Sequence, residues 1–334
     1  MIASVAFRNF KALRNAHLEI LPFNLVIGAN GSGKTSLIQA LLRLRTLARL
    51  PLGQNDDRLP GAAEITFRFQ SPHDGLEAVM GCVSDTACDL LQVIPLPTGE
   101  GTHDWSGLRA RLLGIRAYLL DHYAMAVPVV PSESSELTAN GSNLSAVLAS
   151  RRDRAPEDFA GLRAEVLRVF PEYDDLDVAS GPDGRVRLRL RLIEDGGTWV
   201  DADNLSQGTL YTLALLTLAY DPSPPDMVCI EEVDRGIHPR LLREMRDALY
   251  RLSHPDSAGL ARRPAQVIAT THSPYLLDLF KDHPEEIVIA EKQGRAATFS
   301  RLTDRDDLVE LLEEGGSLGE LWFSGIIGGV PEEP

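Results

Sequence analysis

The chain has 334 residues, 44% hydrophobic and 24% charged, which is an ordinary globular composition and enough for one large or two ordinary domains. A formal net charge of −15 argues against an indiscriminate nucleic-acid binder, although a local basic stripe is not excluded. Three cysteines without metal-ligand spacing favour a reducing cytoplasm over secretion. We expect no signal peptide, and the longest apolar run, 210–220, is too short to span a bilayer.

The N-terminal region predicts two strands that lead into a glycine-rich loop. The strands are predicted over 4–13 and 16–28, the second being largely apolar. A helix is predicted over 36–50, and the alternating residues 64–69 indicate a further strand. Residues 70–105 are rich in Gly, Pro and Asp, and their pattern assigns no element.

The middle of the chain predicts a mostly helical insertion. Apolar residues recur at helical spacing over 107–123 and 156–170, and Pro156 suits a first helical position. Strict alternation over 185–193, after a Pro-Asp-Gly turn, predicts a strand.

The last third of the chain predicts helices that alternate with buried strands. The helices are expected over 206–220, 238–252 and 273–280, and the strands over 227–232 and 266–273. Ser273 is expected to cap the last helix, with Pro274 at its start. This alternation indicates an α/β fold with a largely parallel sheet.

The strongest motif is GANGSGKT, residues 28–35, which fits the phosphate-loop pattern G-x-x-x-x-G-K-[ST] between an apolar strand and a helix. Gly31 and Gly33 let backbone N–H groups turn towards phosphate oxygens, and the positive end of the helix faces the same anion. Lys34 is predicted to bridge the terminal phosphates and Thr35 to hold Mg²⁺. The predicted phosphate-binding segment also includes Asn30, Ser32 and Ser36. A plain glycine turn is the simpler alternative.

Two adjacent glutamates, Glu231 and Glu232, end a buried strand downstream of the phosphate loop. Like charges at such a place need a compensating cation, and a nucleotide-bound Mg²⁺ is held at this position of the fold. Successive strand residues point in opposite directions. One carboxylate is therefore predicted to reach the metal, and the other to accept a proton from the water that attacks the γ-phosphate. Two exposed glutamates beyond the strand are the alternative.

Two further positions could contribute to the same site. Ser206 begins a long apolar helix and is followed by Gly208; in isolation this is an ordinary helix cap, but its place between the phosphate loop and the acid pair gives it weight. His272 ends a second apolar strand. A neutral imidazole there could bind a γ-phosphate oxygen or the attacking water, whereas a lone histidine is more often structural.

Four arginines occupy one face of the predicted strand 185–193. They could follow the phosphate backbone of DNA, but a solvated face paired with acidic residues is the favoured interpretation. These arginines are Arg185, Arg187, Arg189 and Arg191.

Two other charged groups have simple structural explanations. A loose basic cluster is expected in an exposed loop and consists of Arg151, Arg152 and Arg154. Asp304 and Asp306 are expected to fill the first turn of a helix that Thr303 caps and Gly315 ends, rather than to bind a nuclease metal.

The phosphate loop, LSQGT, the acid pair and TTHSPYLLD occur in the order that resembles the ATP-binding-cassette (ABC) superfamily. The resemblance is closer to the RecF-like and SMC-like branch. That branch includes stand-alone AAA-family ATPases of bacteria and the ATPase halves of overcoming-lysogenization-defect nucleases. The resemblance covers the first 50 residues and 200–290 well. It covers the middle poorly, apart from GSNLSAVL at 141–148.

The resemblance implies a single P-loop NTPase domain of the ABC-type ATPase head over 1–334. Its parts would be an N-terminal lobe at 1–95, a helical insertion at 105–175, a C-terminal lobe at 180–300, and a C-terminal helix and tail at 301–334. The insertion lacks sustained heptads, so no long coiled-coil arm is expected. The stretch after His272 is also expected to be too short for a nuclease domain.

The resemblance also implies a homodimer that encloses ATP between the phosphate loop of one chain and LSQGT of the other. Ser206 and Gly208 would then meet the γ-phosphate, and Asp234 would lie in a loop at the dimer interface. Lys11 would lie near the phosphates. The family's acid pair is usually Asp-Glu, so Glu231 takes the metal role and Glu232 the base role. Gln70 is the candidate for the glutamine-loop metal contact.

The expected function is a cytoplasmic, Mg²⁺-dependent ATP hydrolase. Its ATP cycle would couple to DNA or to an effector protein in DNA repair or phage defence. Two alternatives remain: a nucleotide-binding subunit of a membrane transporter, and an ATP-dependent scaffold with little turnover.

Overall fold

The computed structural model describes residues 1–52, 61–97, 101, 103–133, 136–194, 196–313 and 316–330. Its strands are β1 (Ile2–Phe10), β2 (Leu13–Glu19), β3 (Phe23–Gly28), β4 (Glu64–Phe69), β5 (Leu76–Cys82), β6 (Cys88–Pro95), β7 (Ile115–Tyr118), β8 (Tyr173–Ser180), β9 (Val186–Leu192), β10 (Trp199–Asp201), β11 (Met227–Ile230), β12 (Gln266–Thr270), β13 (Ile287–Gln293) and β14 (Ala296–Arg301). Its α-helices are α1 (Lys34–Leu47), α2 (Trp105–Leu112), α3 (His122–Ala126), α4 (Leu144–Arg154), α5 (Pro156–Val169), α6 (Gln207–Ala219), α7 (Leu242–Ser253), α8 (Pro274–Asp278), α9 (Leu308–Glu313) and α10 (Leu318–Phe323).

The chain forms two compact units. The first comprises Met1–Ala117, Pro225–Val233 and Ala265–Pro334, and the second comprises Tyr118–Pro224 and Asp234–Pro264. In the described part of the chain, none of the helices has the length and apolar character needed to cross a membrane.

The first unit contains two sheets. One is antiparallel, with strand order β2-β1-β4-β5-β6, and the other has the order β14-β13-β3-β12-β11-β7. In the second sheet β13, β3, β12 and β11 run parallel, which confirms the predicted α/β class with a mixed sheet. Because β3, β11 and β12 run in one direction, the residues that follow them lie at the same edge of the sheet.

A single hydrophobic core joins both sheets of the first unit to α1. Every residue of β3 is buried, as the uninterrupted apolar run predicts for a strand covered on both faces. From α1 the core receives Leu37, Leu41 and Leu44, each 0% exposed. The helix that follows the phosphate loop is therefore anchored by its apolar face.

The second unit contains a small antiparallel sheet of order β10-β9-β8 and the helices α3 to α7. The alternation predicted for 185–193 is confirmed, since Val186, Leu188 and Leu190 of β9 are buried. Helix α5 begins at Pro156 as predicted. Helix α6 is buried from Gly208 to Ala219, so its largely apolar sequence reflects burial on every side.

The predicted N-terminal strands differ from the observed ones. Three strands replace two, because β1 and β2 form a tight hairpin in which Phe10 pairs with Leu13. Lys11 in this turn has a φ of 52°, an unusual conformation for a side chain other than glycine. The region 70–105, unassigned from the sequence, contributes β5 and β6 to the antiparallel sheet.

The predicted helix over 107–123 is wrong. Helix α2 ends at Leu112, and the chain continues as strand β7 and the short helix α3. At Gly114 a Cβ atom would lie 2.4 Å from Asp226 Oδ2, so the backbone approaches its neighbour too closely for a side chain. The apolar spacing typical of a helix thus continues by chance into β7, which forms the edge of its sheet.

The basic cluster expected in an exposed loop lies in helix α4 instead. Arg151 is only 7% exposed. Its guanidinium donates to the Thr217 carbonyl at 3.0 Å and to Asp221 Oδ2 at 3.1 Å. Such a buried, paired arginine is part of the packing of the second unit and is unavailable to a polyanion.

Two smaller predictions also change. The acids near Thr303 do not begin one helix, since a short 3-10 turn at Leu302–Asp304 precedes α9, and Gly315 lies outside the described residues. Cys82 and Cys88 face each other across β5 and β6 and form a disulfide. The cysteine count therefore no longer supports a reducing compartment, and the cytoplasmic location stays a prediction.

Candidate nucleotide site

The phosphate loop connects β3 to α1 in a conformation that depends on glycine. Gly28 has a φ of 150°, and a Cβ there would lie 2.2 Å from the Ala290 carbonyl oxygen. Gly33 has a φ of 101° and forms the N-terminal cap of α1, where a Cβ would lie 2.9 Å from Leu13 Cδ2. Glycines at these places let the backbone N–H groups of the loop and of the first helical turn converge on an anion.

Lys34 is held inside this loop. Its side-chain nitrogen donates to the backbone carbonyls of Gly28 at 2.6 Å and of Ala29 at 2.9 Å, and the residue is 9% exposed. Burial lowers the pKa of Lys34 below its ordinary value, and the carboxylates of Glu232 and Glu231 offset part of that shift. A polyphosphate would offer this buried cation a charged hydrogen-bond partner in place of the two neutral carbonyls.

Glu231 meets the phosphate loop directly. The Thr35 hydroxyl donates to Glu231 Oε2 at 2.8 Å, so two of the three residues predicted to hold Mg²⁺ are adjacent. Hydroxyl and carboxylate oxygens are the donors that Mg²⁺ prefers, with water and substrate phosphates completing its shell. No group of three or more His, Cys, Asp or Glu side chains within the described ranges forms a cage for a metal. This donor set fits Mg²⁺ held jointly by protein and nucleotide.

Glu232 follows in an unusual backbone conformation. Strand β11 ends at Ile230, two residues earlier than predicted, and Glu232 has a φ of 49°. Its backbone N–H donates to Thr270 Oγ1 at 2.9 Å. The next N–H, of Val233, donates to the Thr270 carbonyl at 3.0 Å. The two glutamates therefore do not simply alternate along a strand, because the chain turns between them.

These residues line one pocket of about 160 Å³ within the first unit. It is smaller than a pocket that encloses a drug-sized ligand, as expected for a cradle that holds the phosphate end of a nucleotide. The lining residues are Asn30, Gly31, Ser32, Gly33, Lys34, Thr35, Ser36, Glu231, Glu232, Thr270 and His272. The structure thus brings the phosphate loop, both glutamates and the histidine together.

Two lining residues have features that the sequence does not reveal. Ser32 Oγ is buried without a hydrogen-bond partner among the described residues, which leaves an unused polar atom in the phosphate loop. Thr270 was not singled out from the sequence, although it ends the strand that leads to His272. The doubled threonine of TTHS was the only available signal, and threonine is common in buried strands.

Two predicted contacts lie outside this pocket. The Lys11 ammonium donates to Gln39 Oε1 on α1 and lies 5.4 Å from the ring centre of Phe10. Gln70 Oε1 accepts from the N-terminal ammonium of Met1, and the Gln70 backbone N–H donates to the Met1 carbonyl at 2.9 Å. The metal contact predicted for Gln70 thus receives no support from this geometry.

The signature residues belong to the second unit. Ser206 caps α6, since its hydroxyl oxygen accepts from the Thr209 N–H at 3.1 Å. A Cβ at Gly208 would lie 2.7 Å from the Gly236 carbonyl oxygen. Gly236 follows Asp234 in a turn where the Ile237 N–H donates to the Asp234 carbonyl at 3.1 Å. Cap and close packing explain both residues structurally, and their role towards a nucleotide stays a prediction.

The arginine face of β9 is neutralised within the second unit. Each arginine has a carboxylate within 4 Å: Arg185 with Asp183 at 3.7 Å, Arg187 with Asp201 at 2.8 Å, Arg189 with Asp177 at 2.8 Å and Arg191 with Asp174 at 2.7 Å. Arg189 also lies 4.3 Å from the ring centre of Trp199. The paired, solvated interpretation is confirmed for this face.

The fold and the pocket together are those of a P-loop NTPase. Residues 1–66 match the family described as "AAA ATPase domain". Residues 129–278 match the family described as "AAA domain, putative AbiEii toxin, Type IV TA system". Over these two stretches the chain resembles AAA-family ATPase domains. A search of curated proteins found no match.

Solved structures with the same fold include two SMC heads. One is an SMC head bound to the C-terminal winged-helix domain of ScpA, with 13% identity, a TM-score of 0.57, and coverage of 91% of this chain and 99% of that one. The other is an SMC head with an extended coiled coil bound to the C-terminal domain of ScpA, derived from Pyrococcus furiosus, with 12% identity, a TM-score of 0.54, and coverage of 94% and 98%. At these identities the likeness establishes the fold alone.

Proposed function

We propose that the protein is an Mg²⁺-dependent ATP hydrolase of the ABC type. One observation carries this proposal: the phosphate loop, Glu231, Glu232 and His272 line the same pocket. The four groups come from three separate stretches of chain, and an ordinary glycine turn would not gather two carboxylates and an imidazole around itself.

Each side chain has a task in the proposed reaction. Lys34 would leave its two backbone carbonyls and bind the terminal phosphates of ATP. Thr35 and Glu231 would hold Mg²⁺, which when bound shields the charge of the β- and γ-phosphates. Glu232 would accept a proton from the attacking water at a carboxylate oxygen. The His272 imidazole would hydrogen-bond a γ-phosphate oxygen or that water, and so orient the attack.

We further propose that ATP joins two copies of the chain. In this arrangement the capped start of α6 in one copy would approach the γ-phosphate bound to the other copy. A helix N-terminus that begins with Ser206 and Gly208 offers backbone N–H groups and the positive end of a helix dipole, both suited to a phosphate. The Asp234 turn packs against Gly208 and would contribute to the same interface.

The partner coupled to this cycle is proposed to be an effector protein, in phage defence or DNA repair. The paired arginines of β9 weaken the argument for DNA. The solved SMC heads are described as bound to domains of the protein ScpA. One matched family is described as a putative AbiEii toxin of a Type IV TA system, which accords with a defence role.

The test of this function is the Glu232→Gln variant. Removing the proton acceptor while keeping the shape of the side chain should lower kcat by about 100-fold or more, and leave ATP affinity within about 2-fold. With ATP and Mg²⁺ the variant should accumulate as a dimer, because hydrolysis would no longer separate the copies. Phosphate release, equilibrium binding and light scattering measure the three quantities.

A Glu313→Gln variant serves as the control, because Glu313 is an exposed carboxylate of α9. It should retain wild-type turnover. Full activity of Glu232→Gln would refute the base assignment. A wild-type protein that binds ATP without measurable turnover would favour a nucleotide-dependent scaffold. A wild-type protein that does not bind ATP at all would refute the function.

A further inference from the structure

Glu232 occupies a backbone conformation that glycine favours. Its φ of 49° lies in the left-handed region, where a Cβ atom crowds the neighbouring carbonyl. Apart from glycines, the left-handed residues in the described part of the chain are Asn9, Lys11 and Glu232. Strained residues of this kind persist only where surrounding contacts hold them, and they concentrate at functional sites.

Thr270 supplies two hydrogen bonds that hold this conformation. Thr270 is 4% exposed, and its hydroxyl oxygen accepts the Glu232 N–H at 2.9 Å while its carbonyl oxygen accepts the Val233 N–H at 3.0 Å. The two bonds hold the peptide groups on either side of the Glu232 Cα. Both peptide groups are thereby tied to the end of β12, the strand beside β11 in the parallel sheet.

Thr270 lies next to several other parts of the nucleotide site. It pairs with Val26 of β3, two residues before the phosphate loop begins at Gly28. It also lies two residues before His272, and the intervening Thr271 donates its N–H to the Val26 carbonyl at 3.3 Å. Thr270 thus touches the strand of the phosphate loop, the turn of the acid pair and the chain that carries the histidine.

We propose that the Thr270 hydroxyl is a positioning residue for the catalytic carboxylate. It holds Glu232 in the left-handed turn, so that the carboxylate enters the pocket at a fixed distance from His272 and Lys34. Without the hydroxyl the Glu232 N–H loses its acceptor, and the turn relaxes towards an ordinary conformation. This inference rests on the proposed ATP hydrolysis and deepens it, because it names what sets the geometry of the base.

Thr270→Val is the direct test, since valine keeps the volume and the β-branch that suit a buried strand but has no hydroxyl. We expect kcat for ATP hydrolysis to fall about tenfold, because a small displacement of a catalytic group lowers the rate strongly. The equilibrium Kd for ATP should change less than about twofold, since the phosphate loop is untouched. Thr270→Ser restores the hydroxyl and should recover at least half of the wild-type kcat.

Thr298→Val is the matched control, because Thr298 is an exposed residue of strand β14 in the same unit. It should leave kcat unchanged. If Thr270→Val does not fold, as judged by circular dichroism, Thr270→Ala removes the same hydroxyl with less bulk and replaces it in the comparison with Thr270→Ser.

The outcomes separate the two proposals. Wild-type hydrolysis together with an unchanged kcat in Thr270→Val overturns the positioning role and leaves the proposed function intact. The same role is overturned if Thr270→Ser is as impaired as Thr270→Val, or if Kd rises as much as kcat falls. A wild-type protein without ATP hydrolysis refutes the proposed function itself.

Discussion

Two positively charged features of the molecule differ in the partners that the fold gives them. On β9 and the turn before it, each of four arginines lies within 4 Å of a carboxylate of its own unit. In the phosphate loop Lys34 is buried, and its ammonium donates to the carbonyls of Gly28 and Ala29. The arginines therefore already have carboxylate partners in the fold. The Lys34 ammonium instead donates to neutral carbonyls, which bind a cation more weakly than an anion does.

The contrast shows that the pattern of charge along a sequence does not identify a binding surface. Four alternating arginines are the more conspicuous feature, yet the acids that pair with them lie on neighbouring strands or turns. A single lysine in a glycine loop is less conspicuous, and its ammonium donates to two neutral backbone carbonyls. What a buried charge contacts in the folded protein decides whether it is available to a ligand.

The largest effect should come from removing Lys34. Lys34→Ala should raise the Kd for ATP by at least about 100-fold, because the triphosphate loses a buried positive partner. Calorimetric titration with a nonhydrolysable analogue measures it. Lys281→Ala, an exposed lysine of the same unit, is the control and should bind normally.

Replacing the four arginines of residues 185–191 should change the stability of the protein rather than its binding to DNA. Replacing Arg185, Arg187, Arg189 and Arg191 by Gln should lower the urea midpoint of unfolding only slightly, since exposed ion pairs contribute little to stability. Any affinity for DNA and its dependence on salt should stay as in the wild type. A clear loss of DNA affinity would show that the paired face is nevertheless functional. Urea unfolding and fluorescence anisotropy provide the two measurements.

The pairing of Asp177 with Arg189 predicts that part of the stability of the second unit depends on pH. Burial alone would raise the pKa of Asp177, but hydrogen bonding from Arg189 and nearby charges hold it below the ordinary 3.8. A lowered carboxyl pKa contributes stability above the unfolded-state value, and that stability is lost as the pH falls through the folded value. Asp177→Asn should therefore cost about 1 kcal/mol at pH 7 and progressively less below pH 3.8. Equal losses in unfolding titrations at neutral and acid pH would contradict the pairing.

The smallest predicted effect concerns the stability of variants at Glu232 in the nucleotide pocket. If Glu232 is strained, Glu232→Gly should be more stable than Glu232→Ala by about 1 kcal/mol, because only glycine adopts a positive φ without cost. Both variants lack the carboxylate, so the difference isolates the backbone. Thermal unfolding of the two variants measures it, and equal midpoints would show that the turn is relaxed.

The sequence predicted the phosphate-loop pocket well because its parts are local patterns. A glycine loop between strand and helix, and polar residues after buried strands, each follow from a few adjacent residues, and parallel strands bring such ends together. The left-handed turn at Glu232 was not predictable in this way. It depends on Thr270, whose hydroxyl meets the turn only after the two strands have paired.

The failed predictions have the same physical origin. The helical periodicity of 107–123 is real over α2, but the later residues form β7, where sheet pairing outweighs the local pattern. Arg151 looks like a surface residue in the sequence, and it is buried because Thr217 and Asp221 supply partners from 66 and 70 positions away. Contacts between distant residues decided both cases.

The tight contact at Gly208 has a consequence for how two copies would meet. Since a Cβ at Gly208 would lie 2.7 Å from the Gly236 carbonyl, the start of α6 packs closely against the Asp234 turn. A second copy that docks on one of them would engage the other at the same moment. Association would then behave as an all-or-none switch, with few half-engaged forms.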